Sequence, residues 1–191
     1  AATNTKGSRI LATDEDKNME RETIKEFCKD AISNGYTGYG CNGWDWIRAN
    51  IQRLDFIFET ENYKKQGGMK YKCMPLILEH YPEATTEDET LLGTAWYLNN
   101  ERESEKAKKE YTAKMIGEGY EPLTAAVIER AITLNKKIEL NASHANDWQT
   151  VKVNKILKPK CFGTDYILME LRAKTRGYRL SQFENAFCKL I

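Results

Sequence analysis

Histidine is nearly absent from this chain: His80 and His144 are the only two among 191 residues. They lie in different segments, and neither sits in His-Glu-x-x-His or an equivalent pattern, so the common His-dependent metal sites are excluded. Five cysteines, Cys28, Cys41, Cys73, Cys161 and Cys188, are widely spaced and form no Cys-x-x-Cys pair. An odd count at such spacing reads as reduced thiols rather than a disulfide framework or a zinc site. Walker loops and Gly-x-Ser-x-Gly elbows are missing, which removes the nucleotide-cleaving and serine-hydrolase classes they mark. A Cys–His nucleophile would need Cys41, Cys73 or Cys161 to meet a histidine in space, and Asp147 near His144 reads as a turn contact. The chain is therefore expected to be no enzyme and to carry no metal or cofactor.

Long hydrophobic runs are also lacking. None nears the ~18 residues needed to span a bilayer. Ala1 to Arg9 lacks the apolar stretch of a secretory signal, so residues 1–12 are expected to be a polar tail on a cytoplasmic protein with no membrane partner. With 41% hydrophobic and 30% charged residues, the remainder is too apolar to be disordered. Residues 13–191 are expected to fold as a single domain.

Helical signals come first. Thr13 and Asp16 have capping-box spacing, Ile24, Phe27, Cys28, Ala31 and Ile32 make an apolar stripe, and Asn34-Gly35 supplies a stop; together these predict a helix over 14–33. The Gly- and Tyr-rich loop 35–40 does not match a dinucleotide fingerprint, and Tyr36 and Tyr39 read as a contact surface. Asn42 and Asp45 are expected to cap a second helix carrying Trp44, Ile47, Ile51, Leu54 and Phe58. Tyr63–Lys72 reads as a hairpin about Gly67-Gly68, with Lys64, Lys65, Lys70 and Lys72 interleaved with aromatics. Pro75–Tyr81 is ambiguous between helix and strand. Thr86 to Glu89 is read as a capping box for a helix with a charged second half, broken near Asn99-Asn100 and ended by Gly117 and Gly119. A further helix starts at Pro122 or Thr124.

After Lys137 the period changes to alternation. Strands are expected at 138–140, at 151–157 with Val151, Val153 and Leu157 inward, at 166–173 and at 178–180. Lys174–Gly177 is expected to turn, and Ser181 with Glu184 to open a closing helix. The fold class is α+β: N-terminal helices over 13–136, then a small antiparallel sheet with a closing helix over 137–191.

Charge is divided along the chain. Residues 1–110 hold 16 Lys/Arg against 20 Asp/Glu, and residues 111–191 hold 13 against 8. Between Val151 and Arg179, Lys152, Lys155, Lys158, Lys160, Arg172, Lys174, Arg176 and Arg179 meet only Asp165 and Glu170. A local positive field of this kind implies an acidic or polyanionic partner, and Tyr166, Tyr178 and Phe162 among the charges would allow stacking on DNA or RNA bases. Lys64, Lys65, Lys70 and Lys72, with Tyr36 and Tyr39, form a secondary candidate surface. The alternative for the basic cluster is a sheet edge blunted against aggregation.

In its Tyr- and Lys-rich segment 63–72, its charged helix over Asn99–Lys114 and its lack of catalytic residues, the chain resembles accessory proteins of phages and mobile elements, including small inhibitors of Cas9-type nucleases. No exact motif carries the resemblance, and it assigns no site residues. What it implies is an anti-CRISPR-like inhibitor that occupies the surface of a protein or nucleoprotein target. A stand-alone DNA- or RNA-binding module and an enzyme with a dispersed site are the alternatives.

Overall fold

Thr13 and Asp16 open the first helix, α1 (Asp14–Ser33), as their spacing predicts. The Thr13 hydroxyl accepts from the Asp16 N–H at 3.1 Å, and the Asp16 carboxylate accepts from the Thr13 N–H at 2.9 Å. Ile24, Phe27, Cys28 and Ala31 form its buried stripe, whereas Ile32 is 40% exposed. Asn34 caps the end, and Gly35 takes the left-handed turn at φ 98°. The computed structural model describes residues 13–141, 148–158, 165–171, 174–183 and 185–191; the expected tail over 1–12 lies outside them. The fold is α+β, and the chain divides into two compact units, Ala1–Lys106 and Ala107–Ile191.

The first unit is helical. Its second helix is not the single rod expected, but α2 (Trp44–Asn50), a 3-10 turn (Ile51–Leu54) and α3 (Asp55–Phe58). Tightening to three residues per turn carries Ile57 into the core together with Ile47, Ile51, Leu54 and Phe58. Gly43, not Asn42 or Asp45, is the N-cap of α2. A Cβ there would stand 2.5 Å from the Tyr36 backbone nitrogen, so only glycine lets the loop close.

The expected hairpin at 63–72 is corrected. The segment forms the short helix α4 (Glu61–Lys64), a turn through Gly67 and Gly68, and the start of α5 (Lys70–Glu79). The Thr60 hydroxyl accepts from the Tyr63 N–H and nucleates α4. Cys73 and Ile77 are buried four residues apart, a helical spacing that outweighs the glycine turn signal. Pro75 sits inside α5 and forgoes the bond to the Tyr71 carbonyl. Next comes α6 (Thr86–Gly117), continuous through Asn99-Asn100. Its capping pair is Thr85 with Asp88, one residue earlier than Thr86 with Glu89.

The second unit wraps a helix on a sheet. Its elements are β1 (Glu121–Pro122), α7 (Ala125–Thr133), β2 (Ile138–Asn141), β3 (Trp148–Leu157), β4 (Tyr166–Leu171), β5 (Lys174–Arg179), a 3-10 turn (Leu180–Phe183) and β6 (Phe187–Leu190). The strand order is β1-β6-β2-β3-β4-β5, with every pairing antiparallel. Capped by Thr124, α7 buries Val127, Ile128 and Ala131 in the same core as Ile138, Leu140, Val151, Val153, Ile167 and Met169. This helix therefore belongs with the sheet rather than with the helical part.

Three further expectations are corrected here. The closing helix is instead a single 3-10 turn followed by β6, because pairing Ile138–Asn141 with Phe187–Leu190 covers an otherwise open edge of β2. Lys174–Gly177 is not a turn but most of β5. A register shift between Val153 and Lys155 inverts the phase of β3, so Ile156 packs on the core and Leu157 is exposed.

Burial pushes the Cys28 and Cys188 thiols up from 9.0 to about 12, and burial likewise raises Cys73. Alkylation of the native protein at about pH 8 should modify Cys41, which is exposed, and spare Cys28, Cys73 and Cys188 until denaturant is added. Because the folded thiol values are raised, their contribution to stability is intact below pH 9.0. It is lost as pH rises from there toward about 12. Peptide mapping and denaturant midpoints across alkaline pH check both expectations.

Candidate functional site: the outer face of the sheet

The side-chain period of a strand is two, so register decides which cations share a face. Val153 lies opposite Met169, and Ile156 opposite Ile167. All four pack in the sheet core, which fixes the inner side of β3 and β4. The alternate positions face outward in three rows. Lys152 aligns with Glu170 and Thr175, Lys155 with Leu168 and Gly177, and Leu157 with Tyr166 and Arg179. Lys152, Lys155 and Arg179 thus share the outer face, and all three are exposed.

Within that face the Arg179 Nε donates to the Tyr166 hydroxyl at 3.3 Å, and its backbone N–H donates to Gln182 at 3.1 Å. Leu168 lies over Gly177, where an added Cβ would be 3.6 Å from its Cδ2. The result is a low apolar strip of Leu168 and Gly177 with Lys155 at one end, Tyr166 and Arg179 in the row on one side, and Glu170 and Thr175 in the row on the other. Glu170 is the one acidic residue in β3, β4 and β5.

The remaining basic candidates separate from this group. Arg176 lies opposite Met169 and Lys174 opposite Leu171, which places both on the inner side at the exposed edge strand. Lys158 lies 3.8 Å from the Glu129 carboxylate on α7, so an internal carboxylate partly offsets it. Lys160 and Arg172 lie outside the described residues, as do Cys161, Phe162, His144 and Asp147. Alternation therefore splits the basic segment into an outer trio and an edge pair.

The secondary surface is also divided. Tyr36 is a core residue whose hydroxyl meets Thr94 Oγ1 at 3.1 Å, whereas Tyr39 is 83% exposed. Lys64 and Lys65 lie 3.8 Å from Glu59 and Glu61. The Lys72 amine is 5.8 Å from the Tyr71 ring, and the Lys70 amine lies close above Gly93. All four lysines are exposed, but on helices and a turn rather than on a hairpin.

His80 Nδ1 is 2.7 Å from Glu20 Oε2, with the Phe56 ring edge-on, a half-buried structural pair. No cluster of three His, Cys, Asp or Glu that could hold a metal ion forms among the described residues. No helix among them is long and apolar enough to cross a membrane. No family model, no curated protein and no solved structure matches this chain.

Sequence reasoning misread one polar feature, taking Asn99-Asn100 for a helix break. Asn99, in the middle of α6, is 1% exposed, and its Oδ1 has no hydrogen-bond partner among the described residues; nor has the hydroxyl of Tyr63, 5% exposed. Burial pushes the Tyr63 hydroxyl well above the usual phenol range, with the Cys73 thiol raising it further and the Asn99 amide opposing. These neighbours are close enough to act on it without reaching hydrogen-bond geometry. Both side chains line a cavity of about 220 Å³. The only hint in the sequence was a polar pair interrupting the apolar half of α6. Leaving a buried carbonyl oxygen unbonded costs about 1–3 kcal/mol, so Asn99→Leu should raise stability by about 1 kcal/mol in urea unfolding. A loss of stability would show that Asn99 is satisfied in solution.

Proposed function

We propose that the chain is a non-enzymatic binding protein that docks the outer face of β3, β4 and β5 on an electronegative partner. Its target is a nuclease or nucleoprotein, whose surface it occupies in the manner of the phage and mobile-element inhibitors it resembles. The observation that carries this reading is the alignment of Lys152, Lys155 and Arg179 on one exposed face of β3, β4 and β5, three strands in which Glu170 is the only acidic residue. Lys174 and Arg176 extend the positive field around the sheet edge. Such a field steers association and sets orientation, while the Leu168–Gly177 strip supplies flat apolar contact.

A stand-alone nucleic-acid module is the second reading, favoured by Tyr166 lying beside Arg179 on the outer face, where a base could stack. The two readings differ in salt dependence. Three to five phosphate contacts give a log–log slope of roughly −2 to −5 in binding to free DNA or RNA. A docking protein has a nucleoprotein target and little affinity for free nucleic acid.

The test uses the full chain against Cas9-type nucleases, with and without guide RNA, beside a gel shift on free DNA and RNA over a salt series. Reversing Lys152, Lys155 and Arg179 together to Glu should abolish inhibition or complex formation. Reversing Lys174 and Arg176 should weaken it less. Unchanged inhibition by the triple variant would refute the outer face as the dock. A steep salt-dependent shift with free nucleic acid and no nuclease effect would favour the second reading.

A further inference from the structure

We infer that the free edge of β5 is a docking site for an extended acidic segment of a partner protein, which joins the sheet there as a further strand. Backbone groups at the edge carry this, not the cations of the outer face, so it holds whether or not the target is a nuclease.

Backbone pairing shows which groups are on offer. β5 is the last strand in the order and pairs only with β4. The Leu180 N–H donates to the Asp165 carbonyl at 2.9 Å, which sets the phase of the ladder. In that phase Tyr178, Arg176 and Lys174 turn their N–H and C=O groups toward β4, whereas Arg179, Gly177 and Thr175 turn theirs away. The Arg179 N–H accordingly finds a side chain, Gln182, at 3.1 Å. Thr175 and Gly177 are exposed, and their backbone groups point out of the sheet with no hydrogen bond among the described residues. Two such residues, roughly 7 Å apart along the strand, match the repeat of an extended chain.

Charge selects the kind of segment. Lys174 and Arg176 share one side of β5, and both are exposed. In this unit the ion pairs among the described residues join Lys114 to Glu118, Arg130 to Glu121 and Lys158 to Glu129, so none offsets β5. Cations two residues apart on a strand face carboxylates two residues apart on its neighbour. A second copy of the chain does not meet that requirement. Pairing β5 with another β5 sets two cationic strands without an acidic residue side by side. The charges that oppose self-pairing are therefore those that admit an acidic strand.

Gly177 adds a third feature. On the outer face it leaves a gap beside Leu168, whose Cδ2 would stand 3.6 Å from an added Cβ. An aromatic side chain on the incoming strand, opposite Gly177, covers that gap. The fitting segment is extended, with carboxylates at alternate positions and an aromatic residue next to one of them.

Fluorescence anisotropy of the full chain with labelled Ser-Phe-Glu-Val-Glu-Phe-Ser, which presents this pattern in either strand direction, tests the proposal. The peptide should bind saturably, and its counterpart with Lys for Glu about tenfold more weakly or not at all. N-methylation of one alternate set of its amides should abolish binding, and methylation of the other set should leave it. Thr175→Pro removes an edge N–H that β4 does not use, so circular dichroism should stay native while affinity falls by about tenfold. Lys174→Glu with Arg176→Glu should weaken the peptide at least as much, and it decides the matter should the proline variant fail to fold. Absence of saturable binding, unchanged affinity in the folded variants, or indifference to both methylation patterns overturns the proposal. Sedimentation showing dimers that Thr175→Pro dissolves would make a second copy the occupant and overturn it too.

Discussion

The strand register of the C-terminal sheet is the constraint from which the candidate dock follows. Met169 opposite Val153 and Ile167 opposite Ile156 bury one side of β3 and β4 under α7. Once those four side chains are inside, Lys152, Lys155 and Arg179 have no inward position available. A slip of one residue would move every side chain of a strand to the opposite face. Burying a lysine in place of a valine is so unfavourable that hydrophobic packing specifies the charge pattern on the other side. The positive face is thus a by-product of core packing, and its composition is set by the residues that alternate with the core.

That coupling explains how much of the site could be seen in the sequence. The basic character of 151–179 was plain, and so was the shared face of Val151 and Val153. The division into an outer trio and an edge pair was hidden, because it depends on β5 running through Lys174–Gly177 and on a register shift that no local residue signals. Lys158 was counted as available, yet Glu129 on α7 comes within 3.8 Å of it. Contacts between segments 29 residues apart are not encoded in local spacing.

Helix ends with paired caps were legible, and α1 is the clearest case. Failures came where two short-range signals conflicted. Gly67-Gly68 argued for a hairpin, but the four-residue interval between Cys73 and Ile77 prevailed because burial outweighs turn propensity. At 181–190 a capping spacing lost to the demand of β2 for a partner strand. Asn99 was read as a helix break, because a polar residue in a charged helix looks solvated until its neighbours are known. The corrections share one cause: long-range packing decided what local pattern left open.

The register itself admits direct measurement. Cross-strand nuclear Overhauser contacts in the isotope-labelled protein should pair Lys152 with Glu170 and Tyr166 with Arg179 through their backbone protons, with an irregularity between Val153 and Lys155. Contacts pairing Lys152 with Met169, or Arg179 with Ile167, would place those cations on the buried side and contradict the account.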